Sequence, residues 1–166
     1  SEYNYQMKSK HIKVAVIGRP NVGKSTLFNR LAKERKSIVD DMPGVTRDRL
    51  YTDIEWNGKI ITLIDTGGLV ENVGSLKDEI VDAVRKHAYY AMDEADFILF
   101  LTDGKDGITS QDEKIASNLR KLKNNKKILL AVNKIDTEKQ GNLVYEFYSL
   151  GLGEPYPISA LCGSSG

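Results

Sequence analysis

The first chemical signal is Gly18-Arg19-Pro20-Asn21-Val22-Gly23-Lys24-Ser25, which follows the apolar run Ile12-Lys13-Val14-Ala15-Val16-Ile17 and opens onto Thr26-Leu27-Phe28. Its glycines let successive backbone N–H groups face an anion without a Cβ clash, and a following helix would add its positive N-terminal end. Lys24 would reach the β and γ phosphates of a nucleotide and Ser25 would ligate magnesium. Arg19, Pro20, Asn21, Val22, Gly23 and Thr26 line the rest of the cradle. A plain glycine turn is the bland alternative, and the strand-to-helix context argues against it. Alone, the loop specifies only a nucleoside triphosphate.

The base is narrowed by Asn133-Lys134-Ile135-Asp136, which stands after another apolar run. Asp136 can accept hydrogen bonds from N1–H and the 2-amino group of guanine, an edge that adenine lacks. With adenine the carboxylate would stay unpaired, and sites built this way reject the wrong analogue by roughly 10⁴ to 10⁵. Alone, the tetrapeptide could equally be a helix N-cap. Asp65-Thr66-Gly67-Gly68 adds a carboxylate able to hold magnesium through water, and the N–H of Gly68 is open to a γ phosphate. In the polar stretch Pro43-Gly44-Val45-Thr46-Arg47-Asp48, Thr46 is the candidate second hydroxyl ligand to magnesium.

The elements that must position these residues alternate. Strands are predicted over residues 12–17, 51–56, 59–64, 97–101, 127–132 and 156–158, and helices over 25–33, 76–95, 111–122 and 143–150. Asn57-Gly58 between the second and third strands suits a type I′ hairpin turn. The expected fold is α/β, with three layers and a mostly parallel six-stranded sheet carrying one antiparallel edge strand. Ligands in such sheets gather at the carboxyl ends of strands, where all the motifs fall. A length of 166 residues suits one domain, placed at residues 12–161 with 1–11 and 162–166 as tails.

A formal charge of +1 offers no general argument for nucleic-acid or membrane binding. The basic segment at residues 120–127 reads as a solvated helix end. The lone Cys162 permits no internal disulfide, and no apolar run is long enough to cross a bilayer. A cytoplasmic home follows. His11 carries no functional signal; Arg47 reads as a solvated loop arginine, with contact to a phosphate or a switch-loop carboxylate as the alternative; His87 reads as packing or facing water, and Tyr89 and Tyr90 as helix packing.

In order and content these segments resemble the translation-factor-related GTPases, which have the Ras-like P-loop fold. More closely, Gly18 through Asn29, Gly44-Val45-Thr46-Arg47-Asp48 and Phe147 through Ala160 resemble the first GTPase domain of the bacterial Der (EngA) family. The resemblance implies that Thr46 is the switch I threonine and that Ser159-Ala160, with Leu161, forms the last base-contacting loop. It implies GTP and GDP as ligands and magnesium as cofactor. It also implies a role in assembly of the large ribosomal subunit, or on its precursor, exercised by the full-length protein. The family fold continues into a further helix after Ser159-Ala160, so that final helix is expected to be missing here.

The expected reaction is GTP hydrolysis, with Lys24, the loop amides, Thr46, Gly68 and magnesium positioning and stabilising the phosphates. Leu69 stands where Ras-like proteins place a water-orienting glutamine. In related GTPases with the same Pro-Asn pair, the loop asparagine helps bind potassium, which the resemblance carries to Asn21. The competing class is a nucleotide-dependent binding module whose hydrolysis is too slow to matter. A P-loop ATPase or small-molecule kinase fails on Asp136.

Overall fold

Strand β1 (Ile12–Ile17) is rich in β-branched residues, which suit a pleated, buried surface. The computed structural model describes residues 11–34, 51–66, 92–122 and 127–159, and places β1 inside a sheet of order β2-β3-β1-β4-β5-β6. The others are β2 (Tyr51–Trp56), β3 (Lys59–Asp65), β4 (Phe97–Asp103), β5 (Lys127–Asn133) and β6 (Pro155–Pro157). All neighbours pair in parallel except β2 with β3. The antiparallel pair is the hairpin expected from Asn57-Gly58, whose φ angles of 51° and 76° are those a type I′ turn requires. The six strands, joined by four parallel pairings and one antiparallel hairpin, agree with the architecture read from the sequence.

Helix α1 (Lys24–Glu34) and helix α2 (Ser110–Leu122) lie on opposite faces. On one face Val16, Ile54 and Leu63 pack with Phe28 and Leu31 of α1. On the other, Ile98, Phe100, Leu130 and Val132 pack with Ala116 and Leu119 of α2. Thr109 caps α2: its hydroxyl accepts from the Asp112 N–H at 3.3 Å, and Asp112 Oδ2 accepts from the Thr109 N–H at 2.9 Å. This reciprocal cap satisfies two N–H groups at the helix start. On the α1 side of the sheet, no described helix covers Leu129 and Tyr156, which are 42% and 51% exposed.

The sequence predicts a helix over 143–150, whereas the structure has a longer 3₁₀-helical segment, Glu138–Leu150. Its buried residues explain the tighter winding. Val144, Phe147 and Leu150 recur every third position, so a three-residue turn points all of them at the core. Gly151 ends the segment in the left-handed region at φ 71°. Strands β3, β4 and β5 each run past the predicted end to include Asp65, Asp103 and Asn133. Most of the predicted helix over 76–95 lies outside the described residues, as do both tails beyond His11 and Ser159.

Phe147→Ala should cost about 3–5 kcal/mol in urea unfolding, the usual loss for a buried aromatic. Tyr145 is 67% exposed on the outer side of the same segment, so Tyr145→Ala should cost under about 1 kcal/mol. Equal losses would show that the period-three packing is wrong.

Candidate functional site

The loop between β1 and α1 closes on itself. Lys24, only 5% exposed, donates from Nζ to the Gly18 carbonyl oxygen at 2.9 Å, so the ammonium spans the cradle from its last residue to its first. Pro20, Asn21, Gly23, Lys24, Ser25, Thr26 and Lys134 line an open cavity of about 340 Å³ above it. Asn21 adopts φ 70° and Gly23 φ 102°. The volume is that of a small-molecule site, and its polar lining suits a charged ligand.

The loop is joined to the base motif by a buried bond: Asn133 Nδ2 donates to the Val22 carbonyl oxygen at 2.8 Å. This approach is possible only because residue 23 lacks a side chain, since a Cβ there would stand 2.2 Å from Asn133 Nδ2. Thus Asn133 reaches the site as a brace between two loops. Lys134, at φ 67°, turns back over the cradle, where its ammonium lies 3.4 Å from the Asn21 carbonyl oxygen.

Asp103, which sequence reasoning did not single out, is fully buried at the end of β4. Its Oδ2 accepts from Lys134 Nζ at 2.6 Å, and its Oδ1 accepts from the N–H groups of Lys105 and Asp106 at 2.8 and 3.1 Å. Burial pushes its pKa up, but Lys134 and the two amides outweigh burial and hold the carboxyl below the usual range. The available signal was a carboxylate closing an apolar run just before Gly104, the position Asp65 holds on β3.

Asp136 is held from both sides. Ser159, 1% exposed, donates from Oγ to Asp136 Oδ1 at 2.5 Å, and Lys105 Nζ lies 3.5 Å from Oδ2. The Ser159 hydroxyl, with Lys105 second among the lowering influences, depresses its pKa. Gln140 Oε1 accepts from the Asp136 N–H at 2.7 Å and fixes the backbone beneath it. The Ser159 backbone arrives through Ile158, whose N–H donates to Val132 O at 2.9 Å and whose carbonyl accepts from Ile135 N at 3.1 Å. Arg19 of the loop directs its guanidinium toward the turn after β4 and the start of α2. Its guanidinium pairs with Asp106 at 3.0 Å and Asp112 at 3.4 Å.

Ser25, in the first turn of α1, lines the cavity, and Asp65 ends β3. Register pairs Asp65 with Val16, the penultimate residue of β1. A hydroxyl in the first turn of α1 and a carboxylate at the end of the strand beside β1 are hard oxygen donors, the kind magnesium takes. Val22 is buried, and Pro20, Asn21 and Thr26 are exposed. Thr46, Arg47, Gly68, Leu69, Ala160 and Leu161 lie outside the described residues.

Residues 13–134 match the family model described as 50S ribosome-binding GTPase. The chain is 52% identical over 151 residues to GTPase Der of Geobacillus thermodenitrificans and 55% identical over 151 residues to GTPase Der of Clostridium novyi. These matches cover 91% and 90% of the chain but only 33% of each relative, so the chain spans about a third of their length. Among solved structures, Aquifex aeolicus Era bound to GDP·AlF4⁻ is 34% identical with a TM-score of 0.68, over 93% of this chain and 52% of that one. The G domain of the T. maritima FeoB iron transporter is 28% identical with a TM-score of 0.58, over 93% and 91%.

Asp103→Asn should destabilise the protein at neutral pH by about 1–3 kcal/mol, the worth of hydrogen bonds to a charged group. Because the folded pKa is depressed, the contribution of Asp103 is present above the usual carboxylate range. It is lost as pH falls through the folded value. Urea titrations at stepped pH should show a shallower acid decline in the variant; parallel declines would contradict the assignment.

Proposed function

This chain belongs to the 50S ribosome-binding GTPase family, and from that premise we propose that it is the guanine-specific, GTP-hydrolysing switch domain of a longer protein. The observation that carries this reading is the Asn133–Val22 bond, which locks a carboxylate suited to guanine beside a loop suited to phosphates. The Der relatives and the Ras-like neighbours support it.

In this reading Asp136 binds N1–H and the 2-amino group, with Ser159, Ala160 and Leu161 completing the base loop. The aliphatic stem of Lys134 flanks the base. Backbone amides from Asn21 to Thr26 face the phosphates, and α1 adds its N-terminal dipole. Lys24, whose Nζ donates to the Gly18 carbonyl, would set its positive charge against the β and γ phosphates. Ser25, Thr46 and Asp65 would hold magnesium, which would supply positive charge to the phosphates. Thr46 and Gly68 would sense the γ phosphate and release when it leaves.

Leu69 cannot orient water, so a cation held by Asn21 would supply part of the missing charge stabilisation. The exposed, positive-φ position of Asn21 on the cavity wall supports that role. The longer protein would act on the large ribosomal subunit or its precursor, in keeping with the family description, and in the cytoplasm. No described helix is long and apolar enough to cross a membrane.

GDP should bind and resist competition by ADP, and Asp136→Asn should weaken GDP on the order of 10²-fold or more, as measured by calorimetry. Effective competition by ADP would overturn the guanine reading. Turnover should be faster in potassium than in sodium, with the difference abolished in Asn21→Ala. Equal rates in the two salts would reject the cation role.

A further inference from the structure

Asp136 offers two carboxylate oxygens, and the guanine edge needs both, one for N1–H and one for the 2-amino group. In the structure each already has a donor, Ser159 Oγ on Oδ1 at 2.5 Å and Lys105 Nζ near Oδ2 at 3.5 Å. A neutral hydroxyl adds no charge beside Oδ1, whereas an ammonium near Oδ2 brings a full positive charge to the same carboxylate. Lys105 Nζ, 3.5 Å from Oδ2, is a cationic donor to the oxygen that the base would need.

We propose that Lys105 is the built-in competitor of guanine: its ammonium and the base contend for Asp136 Oδ2, so Lys105 sets how fast and how tightly guanine is taken. This rests on the guanine-specific reading above. Lys105 is no freely placed surface lysine. Its N–H is held by the buried Asp103 at 2.8 Å, and the preceding Gly104 N–H donates to Asn133 O at 2.8 Å, so its backbone is tied to the base motif itself. The neighbouring Asp106 carries Arg19 of the phosphate loop. The turn is therefore fixed on both sides, while the side chain, 53% exposed, is able to swing away. The same Asp103 that accepts from the Lys105 N–H also accepts from the Lys134 ammonium.

Removing a charge near the site also weakens long-range attraction for an anionic nucleotide. The matched control is therefore Lys114→Met, the same charge change on the exposed surface of α2. The test is stopped-flow association and calorimetry of fluorescently labelled GDP with this chain, comparing Lys105→Met with Lys114→Met. Lys105→Met should associate faster and bind tighter than Lys114→Met by roughly two- to fivefold, the worth of an exposed ion pair. The gap should close in about 1 M salt, where screening acts over roughly 3 Å. Lys105→Arg should keep wild-type values. If Lys105→Met is no tighter or faster than Lys114→Met, the proposal is overturned while the guanine reading stands. If wild type fails to bind GDP at all, that reading falls and the proposal with it.

Discussion

A buried carboxylate must be paired or it costs several kcal/mol, and the site is arranged around the pairing of one such group, Asp103. One oxygen takes the Lys134 ammonium, and the other takes two consecutive amides of the turn that follows β4. The bond to Lys134 draws that lysine back over the phosphate loop, and the bonds to the amides set the course of residues 104–106. From that turn Lys105 reaches Asp136 and Asp106 reaches Arg19. A single desolvated charge thereby coordinates the base motif, the phosphate loop and the strand between them.

The Asn133–Val22 bond is the neutral counterpart. It joins the loop after β1 to the end of β5, 111 residues apart in the chain, and it is satisfied only because Gly23 leaves room for the amide. Parallel pairing of β1, β4 and β5 brings their carboxyl ends to one edge of the sheet. There the phosphate loop, Asp103 and the base motif follow directly from their strands. Rigid strands set the distances, and short loops carry the chemistry, so the site can be polar while its supports are apolar.

Much of this was legible in the sequence. β-branched runs marked the strands, Asn57-Gly58 marked the hairpin, and the motif residues were recognisable by type and spacing. What was not legible has physical causes. The 3₁₀ winding of Glu138–Leu150 follows from a three-residue repeat of Val144, Phe147 and Leu150, which differs from an α-helical stripe only once those side chains meet a core. The strands end later than apolar content suggests because Asp65, Asp103 and Asn133 are polar residues kept in the ladder by their neighbours.

The sequence by itself determined the alternation of elements and the residue types and spacing of the glycine loop and of Asn133–Asp136, because these depend on residues within a few positions of one another. Only the tertiary structure decided that Arg19 pairs with Asp106 and Asp112, that Asn133 braces the phosphate loop, and that Lys105 shares Asp136 with Ser159. Each of these contacts joins residues at least 23 positions apart. Hydrogen bonds and ion pairs act over a few ångströms, and that proximity exists only after the sheet has assembled.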